Sequence, residues 1–365
     1  MRVFHTEGRI MLVVDAHEDI AYNALNFARD YRVSVAEKRR FEAGGDHPNG
    51  IATVGLPDSM LGRVAVVFAT IFTAPEGGMM MSSTTPHYKT PAEAYRQAEQ
   101  QLDYYNRIAD ESDKILLVRF QSDLDAVLET WKDGTEIADH KQGLVLLMEN
   151  ADPIIEPKQF EEWYERGLRL VGPAWTGTRY CGGTRMPGPL TSLGRELLEV
   201  MASFNAILDL SHMAEESFLQ AVDSYEGVLI ASHSNPRSFC ETDRHLSDDM
   251  IRQLAERDGV MGIVPFNNFL SNDWKKGSRR SDVPFTTILD AMDTVCQLTG
   301  SALHVGIGTD FDGGFGMESI PDGMSSITDV WRIGDGLRAR GYNEADIEAI
   351  LGGNMLRKLR QSLPV

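Results

Sequence analysis

The 365-residue chain has only three cysteines, Cys181, Cys240 and Cys296, far apart and with no C-x-x-C spacing. That argues against a disulfide framework and a cysteine-rich zinc site. No apolar run approaches the ~18 residues of a membrane span. The first eleven residues carry Arg2, Glu7 and Arg9, so no signal-peptide core is expected there. Positive charge is scarce: 35 Lys and Arg stand against 54 Asp and Glu, a net charge of −19. Such a chain repels nucleic-acid phosphates and anionic membrane surfaces, so the expected partner is a small molecule rather than nucleic acid or membrane. A soluble cytoplasmic protein is the expectation, and a homo-oligomer is compatible with it.

What is present is apolar material enough for a sizeable core, 42% of residues. Eight short β-branched runs bounded by turn residues read as buried strands: 10–17, 63–72, 143–149, 167–173, 205–212, 227–233, 259–266 and 303–310. Amphipathic segments at 91–110, 121–131, 157–166, 193–204, 214–225, 247–257 and 284–299 read as helices, with Pro91 suited to a first helical turn. Strands alternating with helices predict parallel βαβ units, and eight of them predict an α/β fold, a (β/α)8 TIM-type barrel forming one domain over 1–365. Segments 37–57 and 77–90 are expected as long loops after the early strands, on the face where such barrels carry their sites. The Met79–Met81 run in the second is expected as a surface tip or an apolar lid.

The ionisable residues cluster at the ends of these strands. The first strand ends in His17-Glu18-Asp19, the third in Glu149, the fifth in His212, the sixth in His233, and the eighth in Asp310 and Asp312. C-terminal strand ends of a barrel converge on one face. Side chains two apart on a strand share a side, so His17 and Asp19 pair while Glu18 points away. Taken singly, each has an ordinary reading: a packed histidine, a turn-capping carboxylate, or Asx caps in the Gly-rich "GTDFDGG". Taken together, three His and two carboxylates from four strands form a nitrogen and oxygen donor set that suits Zn2+ or a related divalent ion. Five ligands exceed one tetrahedral site, so two divalent ions sharing a bridging carboxylate is the economical arrangement. Asp310 or Asp312 is the candidate general base, because the last strand closes beside the first. A carboxylate-pair glycosidase using Glu149 and Asp310 would leave three strand-end histidines unexplained.

The motifs "DAHED", "MEN", "LDLSHM", "ASHSNPR", "GIGTDFDGG" and "GGNMLR" occur in that order over nearly the whole chain. In this set the chain resembles the renal (membrane) dipeptidase family of binuclear zinc peptidases, relatives of the amidohydrolases. The resemblance implies a (β/α)8 barrel in which His17 and Asp19 hold one zinc, His212 and His233 the other, and Glu149 bridges them. It implies hydrolysis of a small peptide-like amide by a metal-bridged hydroxide, with Asp310 passing the proton to the leaving amine. Dipeptides are the implied substrates, often with a D-residue second. A family Arg that binds the dipeptide carboxylate falls, along "HSNPRSFCETDRHL", on Arg244, with Arg237 a weaker competitor; a guanidinium fork suits that task.

Two departures stand out. The family's "DGHND" is here "DAHED", which spares the ligands. At the end of the fourth strand the family's substrate-contacting His is absent and Trp175 falls in its place. Trp cannot become cationic, and an apolar wall is the expected role. That opens an alternative substrate: another amide, an N-acyl amino acid or a lactone. A non-catalytic metal-binding barrel is a third reading, disfavoured by retention of every ligand and Asp310. Asp15 is expected to support the ligands from deeper in the barrel; His245 reads as an ordinary histidine, with contact to the substrate as the alternative. His5, His47, His87 and His140 are expected to be exposed, His304 to serve stability, and Asn354 to cap the last helix.

Overall fold

The computed structural model describes residues 11–45, 47–77 and 85–365. The Met79–Met81 run and the start of the first expected strand lie outside the described residues. Nine parallel strands form the sheet: β1 (Val13–Glu18), β2 (Val64–Phe72), β3 (Ile115–Leu117), β4 (Gln142–Glu149), β5 (Leu168–Gly172), β6 (Ile207–Asp209), β7 (Val228–Ala231), β8 (Val260–Ile263) and β9 (Val305–Ile307). Eight of them close a ring in the order β1, β2, β4, β5, β6, β7, β8, β9, with β2 pairing β4 from Val66↔Gly143 to Phe72↔Glu149. The fold is the TIM-type (β/α)8 barrel expected from the strand count. Nearly every strand residue is buried, because helices cover the outside and side chains fill the inside.

Strand β3 was not foreseen. It lies along Gln142–Leu144 at the N-terminal end of β4, before β5 takes over that edge at Leu146. Three residues, one of them half-buried, carry too little periodicity to register. The later strands are shorter than expected, so His212, His233 and Asp310 sit two or three residues past β6, β7 and β9. Two of these backbones have left the strand conformation: His212 has φ 64° and Asp310 φ 54°, uncommon outside glycine.

The helix at Pro91–Asp110 matches its expected bounds, with Pro91 in the first turn and the Thr90 side chain accepting from the Glu93 N–H. Segment 37–57 is not a plain loop: helices Val35–Phe41 and Leu56–Leu61 overlap its ends, the first capped by Ser34. Asn354 does not cap the last helix. The helix runs through it from a wide turn at Ala349–Gly353, and its amide donates to the Ala302 and Val305 carbonyls, tying the helix to β9. His140 is buried, not exposed, and stacks on Trp131 with ring centroids 4.0 Å apart. His47 and His87 are half-buried, while His304 Nδ1 donates to the Gly259 carbonyl, consistent with a packing role.

Candidate metal centre

The C-terminal mouth of the barrel holds a cavity of about 1420 Å³, lined among others by Asp19, Glu149, Trp175, His212, Arg244, His245 and Asp310. Glu149, at the end of β4, faces all three histidines. Its Oε2 lies 3.3 Å from His17 Nε2, and its Oε1 lies 3.1 Å from His212 Nε2 and 3.6 Å from His233 Nε2. The Nε2 atoms of His212 and His233 are 3.0 Å apart. Donor atoms of His17, Asp19 and Asp310 also lie within 4.8 Å of one another. Every ligand residue expected from the sequence is thus in one cluster.

The hydrogen-bond network orients these rings. Asp209 accepts from Ser232 Oγ (2.5 Å) and from the Ser232 N–H (2.8 Å). With its hydrogen given to Asp209, Ser232 Oγ accepts from His233 Nδ1 at 2.7 Å. Thr184 Oγ1, which donates to the His212 carbonyl, stands 3.0 Å from His212 Nδ1. Both rings then keep the Nε2 lone pair free and aimed inward, as metal-ligating histidines do. Gly308 makes room for this arrangement, since a Cβ there would meet the Ser232 carbonyl at 1.9 Å. Asp209, Ser232 and Thr184 were not singled out from the sequence. The available signal was a charged residue inside the apolar run "AILDL".

The donor set fits divalent cations. Asp19 is the N-cap of helix Ile20–Phe27 yet makes no side-chain cap bond, and its Oδ1 is buried without a hydrogen-bond partner. Two facing Nε2 lone pairs and an unpartnered carboxylate oxygen are costly unless a cation sits between them. Electrostatics agree. Burial works against a charged His17, yet the carboxylates of Glu149, Asp19 and Asp310 raise its pKa to about 10. Burial, then Glu149, raises Asp19 to about 6. Burial lowers His212 to about 4, with Arg244 adding to the effect. Burial, with Asp19 and Glu149 beside it, pushes Asp310 well above the usual carboxylate range against the pull of His17 and Arg244.

The structure separates the two candidate bases. Asp310 faces His17 and Asp19, whereas Asp312 turns away to accept from Thr53 N–H (2.8 Å) and Oγ1 (2.7 Å) and to pair with Arg29 (3.3 Å). Asp15 accepts from Thr309 N–H and Oγ1 and from the His17 N–H, joining β1 to the end of β9 behind the ligands. Glu18 is buried away from the cluster, as the alternation requires.

Arg244 is buried, donates to Ser234 Oγ (3.2 Å) and the His233 carbonyl (2.6 Å), and lies over Phe269. Its Nε has no partner, and no described carboxylate lies within ion-pair distance. Arg237 is engaged elsewhere, by Glu215 at 2.7 Å. His245 lines the cavity with Nδ1 against Thr242 Oγ1 (2.6 Å). Trp175 is half-buried in the wall, edge-on to Phe72.

The family profile described as membrane dipeptidase (peptidase family M19) matches residues 6–363. The chain belongs to the membrane dipeptidase family. Membership makes it a metallopeptidase-type hydrolase. Among curated relatives, an uncharacterized Klebsiella pneumoniae protein encoded in the pqqA 5' region is 32% identical over 214 residues, 56% of this chain and 76% of that one. Dipeptidase 3 of Mus musculus is 27% identical over 209 residues, 54% of this chain but only 40% of that protein. Among solved structures, a Rhodobacter sphaeroides metallopeptidase, liganded with a phosphinate mimic of the dipeptide L-Ala-D-Ala, superposes with a TM-score of 0.78 at 23% identity, covering 96% of this chain and 99% of that one. The probable dipeptidase PvdM of Pseudomonas aeruginosa gives 0.77 at 20% identity, over 97% and 96%. These two likenesses are of fold. Among the described residues, no helix is long and apolar enough to cross a membrane.

Proposed function

We propose that this protein is a dipeptidase that hydrolyses a small peptide-like amide with two divalent ions, Zn2+ being the expected metal. His17 and Asp19 would hold one ion, His212 and His233 the other, with Glu149 between. The observation that carries this reading is the split of Glu149: one oxygen faces His17 and the other faces His212 and His233. Bound there, the ions would supply an acidified water and polarise the scissile carbonyl.

The chain's own groups do the rest. Arg244 receives the substrate's free carboxylate, for which a buried guanidinium with an unpartnered Nε is suited. Asp310 takes the proton of the attacking water and returns it to the leaving nitrogen. Its place beside His17 and Asp19 puts it within reach of that water. Tolerance of a D-residue at the second position is part of the proposal, supported by the L-Ala-D-Ala mimic bound to the Rhodobacter relative. Trp175 in the cavity wall supports a second reading, an N-acyl amino acid, another amide or a lactone on the same machinery. The test is metal analysis of purified protein combined with hydrolysis of L-Ala-D-Ala and an acyl and lactone panel. Two ions per chain with dipeptide turnover uphold the proposal. Absence of bound metal, with no turnover restored by Zn2+, rejects it.

A further inference from the structure

Tyr22, Phe72 and Ala74 form a small apolar cluster apart from the main core, with Phe27 and Trp175 packed against it. Its rings meet edge to face: Tyr22–Phe72 at 5.1 Å, Phe72–Trp175 at 5.1 Å and Tyr22–Phe27 at 5.9 Å. All four rings line the cavity. Sheet register explains why they gather there. Phe72 is paired with Glu149 across β2–β4, and Gly172, three residues before Trp175, is paired with Glu149 across β4–β5. The aromatic wall therefore flanks the central carboxylate on both sides.

Arg244 stands in the loop after β7, across the ring from β2 and its Phe72, with Phe269 of the short helix Asn267–Leu270 beneath its guanidinium. A peptide-like amide with its carboxylate on Arg244 and its scissile carbonyl over Glu149 must lay its other end on Phe72 and Trp175. That surface offers ring faces and edges and no formal charge. It removes apolar area from water and adds edge-to-face contacts with a flat group.

We propose that the Tyr22–Phe72–Trp175 wall is the subsite for the group on the carbonyl side of the scissile bond, and that the substrates carry an aromatic or large aliphatic group there. The inference rests on the placement of the carboxylate at Arg244 proposed above. The group can belong to an amino-acid side chain or to an N-acyl chain; both present the same apolar surface.

The test uses the metal-loaded protein and two substrate pairs: L-Phe-D-Ala against L-Ala-D-Ala, and phenylacetyl-D-Ala against acetyl-D-Ala. The aromatic member of at least one pair should have a kcat/KM higher by about tenfold or more, the scale on which an apolar pocket discriminates. Trp175→Ala should bring that ratio toward one, and Trp175→Phe should keep most of it. Calorimetric binding of phosphinate analogues of the two dipeptides should show the same ratio and the same collapse, which separates the subsite from chemistry. Metal content and thermal melting check that the variant is folded; if it is not, Phe72→Leu serves in its place. Ratios near one in both pairs, or a ratio unchanged in a folded, metal-loaded variant, would overturn the subsite. If none of the four amides is hydrolysed, the hydrolytic reading fails, and the phosphinate affinities still decide the subsite: unequal affinities lost on mutation uphold it, equal affinities overturn it.

Discussion

Replacing Arg244 with Met removes the guanidinium while keeping most of the side chain's volume. In the structure that guanidinium is buried, spends two donors on Ser234 Oγ and the His233 carbonyl, and leaves Nε free. A substrate carboxylate placed against it forms a desolvated, charge-assisted pair. Truncating one partner of such a pair costs about 2–5 kcal/mol. At about 1.4 kcal/mol per factor of ten, kcat/KM on L-Ala-D-Ala should fall by roughly 30-fold to several thousand-fold. The carboxylate takes no part in bond cleavage, so much of the loss should appear in KM. Because Arg244 also holds the His233 carbonyl, a loss on its own would be ambiguous. The decisive assay adds L-Ala-D-alaninamide, which lacks the carboxylate, and closes the cycle with both proteins. Wild type should discriminate strongly between acid and amide, and Arg244→Met should treat them almost alike. Equal losses on both substrates would refute carboxylate recognition and leave Arg244 as a support for His233.

Asp310→Asn should lower kcat by about 10²–10⁴-fold, the usual contribution of a positioned acid–base group, with metal content retained by elemental analysis. Unaltered turnover would remove Asp310 from the proton path. Asp209→Asn should weaken metal affinity by about 10–100-fold through the Ser232–His233 contact, measured by competition with a chromophoric chelator. Chelation should lower Tm, because ions bound only to the folded state stabilise it by about 2.7 kcal/mol at a hundredfold excess over Kd; equal Tm values with and without metal would contradict this. His245 sets a pH dependence. Burial, with Arg244 and Arg237 nearby, lowers its pKa to about 3, against about 6.5 when unfolded. Between those values the unfolded chain binds more protons, so this contribution is intact above about pH 6.5 and declines as pH falls toward 3. His245→Gln should therefore flatten the fall of Tm on acidification; an unchanged slope would contradict the assignment.

The fold and the candidate metal donors were legible in the sequence because one physical rule governs both. Buried parallel strands write themselves as short β-branched runs, and barrel function concentrates at their C-terminal ends. His17 and Glu149 lie on strands and follow that rule directly. His212 and Asp310 lie past their strands in left-handed backbone, and alternation along a strand could not have oriented them. Asp310 and Asp312 share a motif and a backbone conformation; only the packing of Thr53 and Arg29 against Asp312 tells them apart. Strand β3 and the anchoring of Asn354 depend on partners distant in sequence, and His140 is buried by stacking on Trp131. The aromatic wall could be glimpsed at Trp175 alone, since Phe72 reaches it through sheet register and Tyr22 from helix Ile20–Phe27.

The central claim is that Glu149 stands between two metal ions. Anomalous diffraction at the zinc edge from crystals of the reconstituted protein tests it directly. Two peaks are predicted on either side of Glu149, roughly 3.5–4 Å apart, one against His17 and Asp19 and one against His212 and His233. A single peak, or none after reconstitution, would contradict the account.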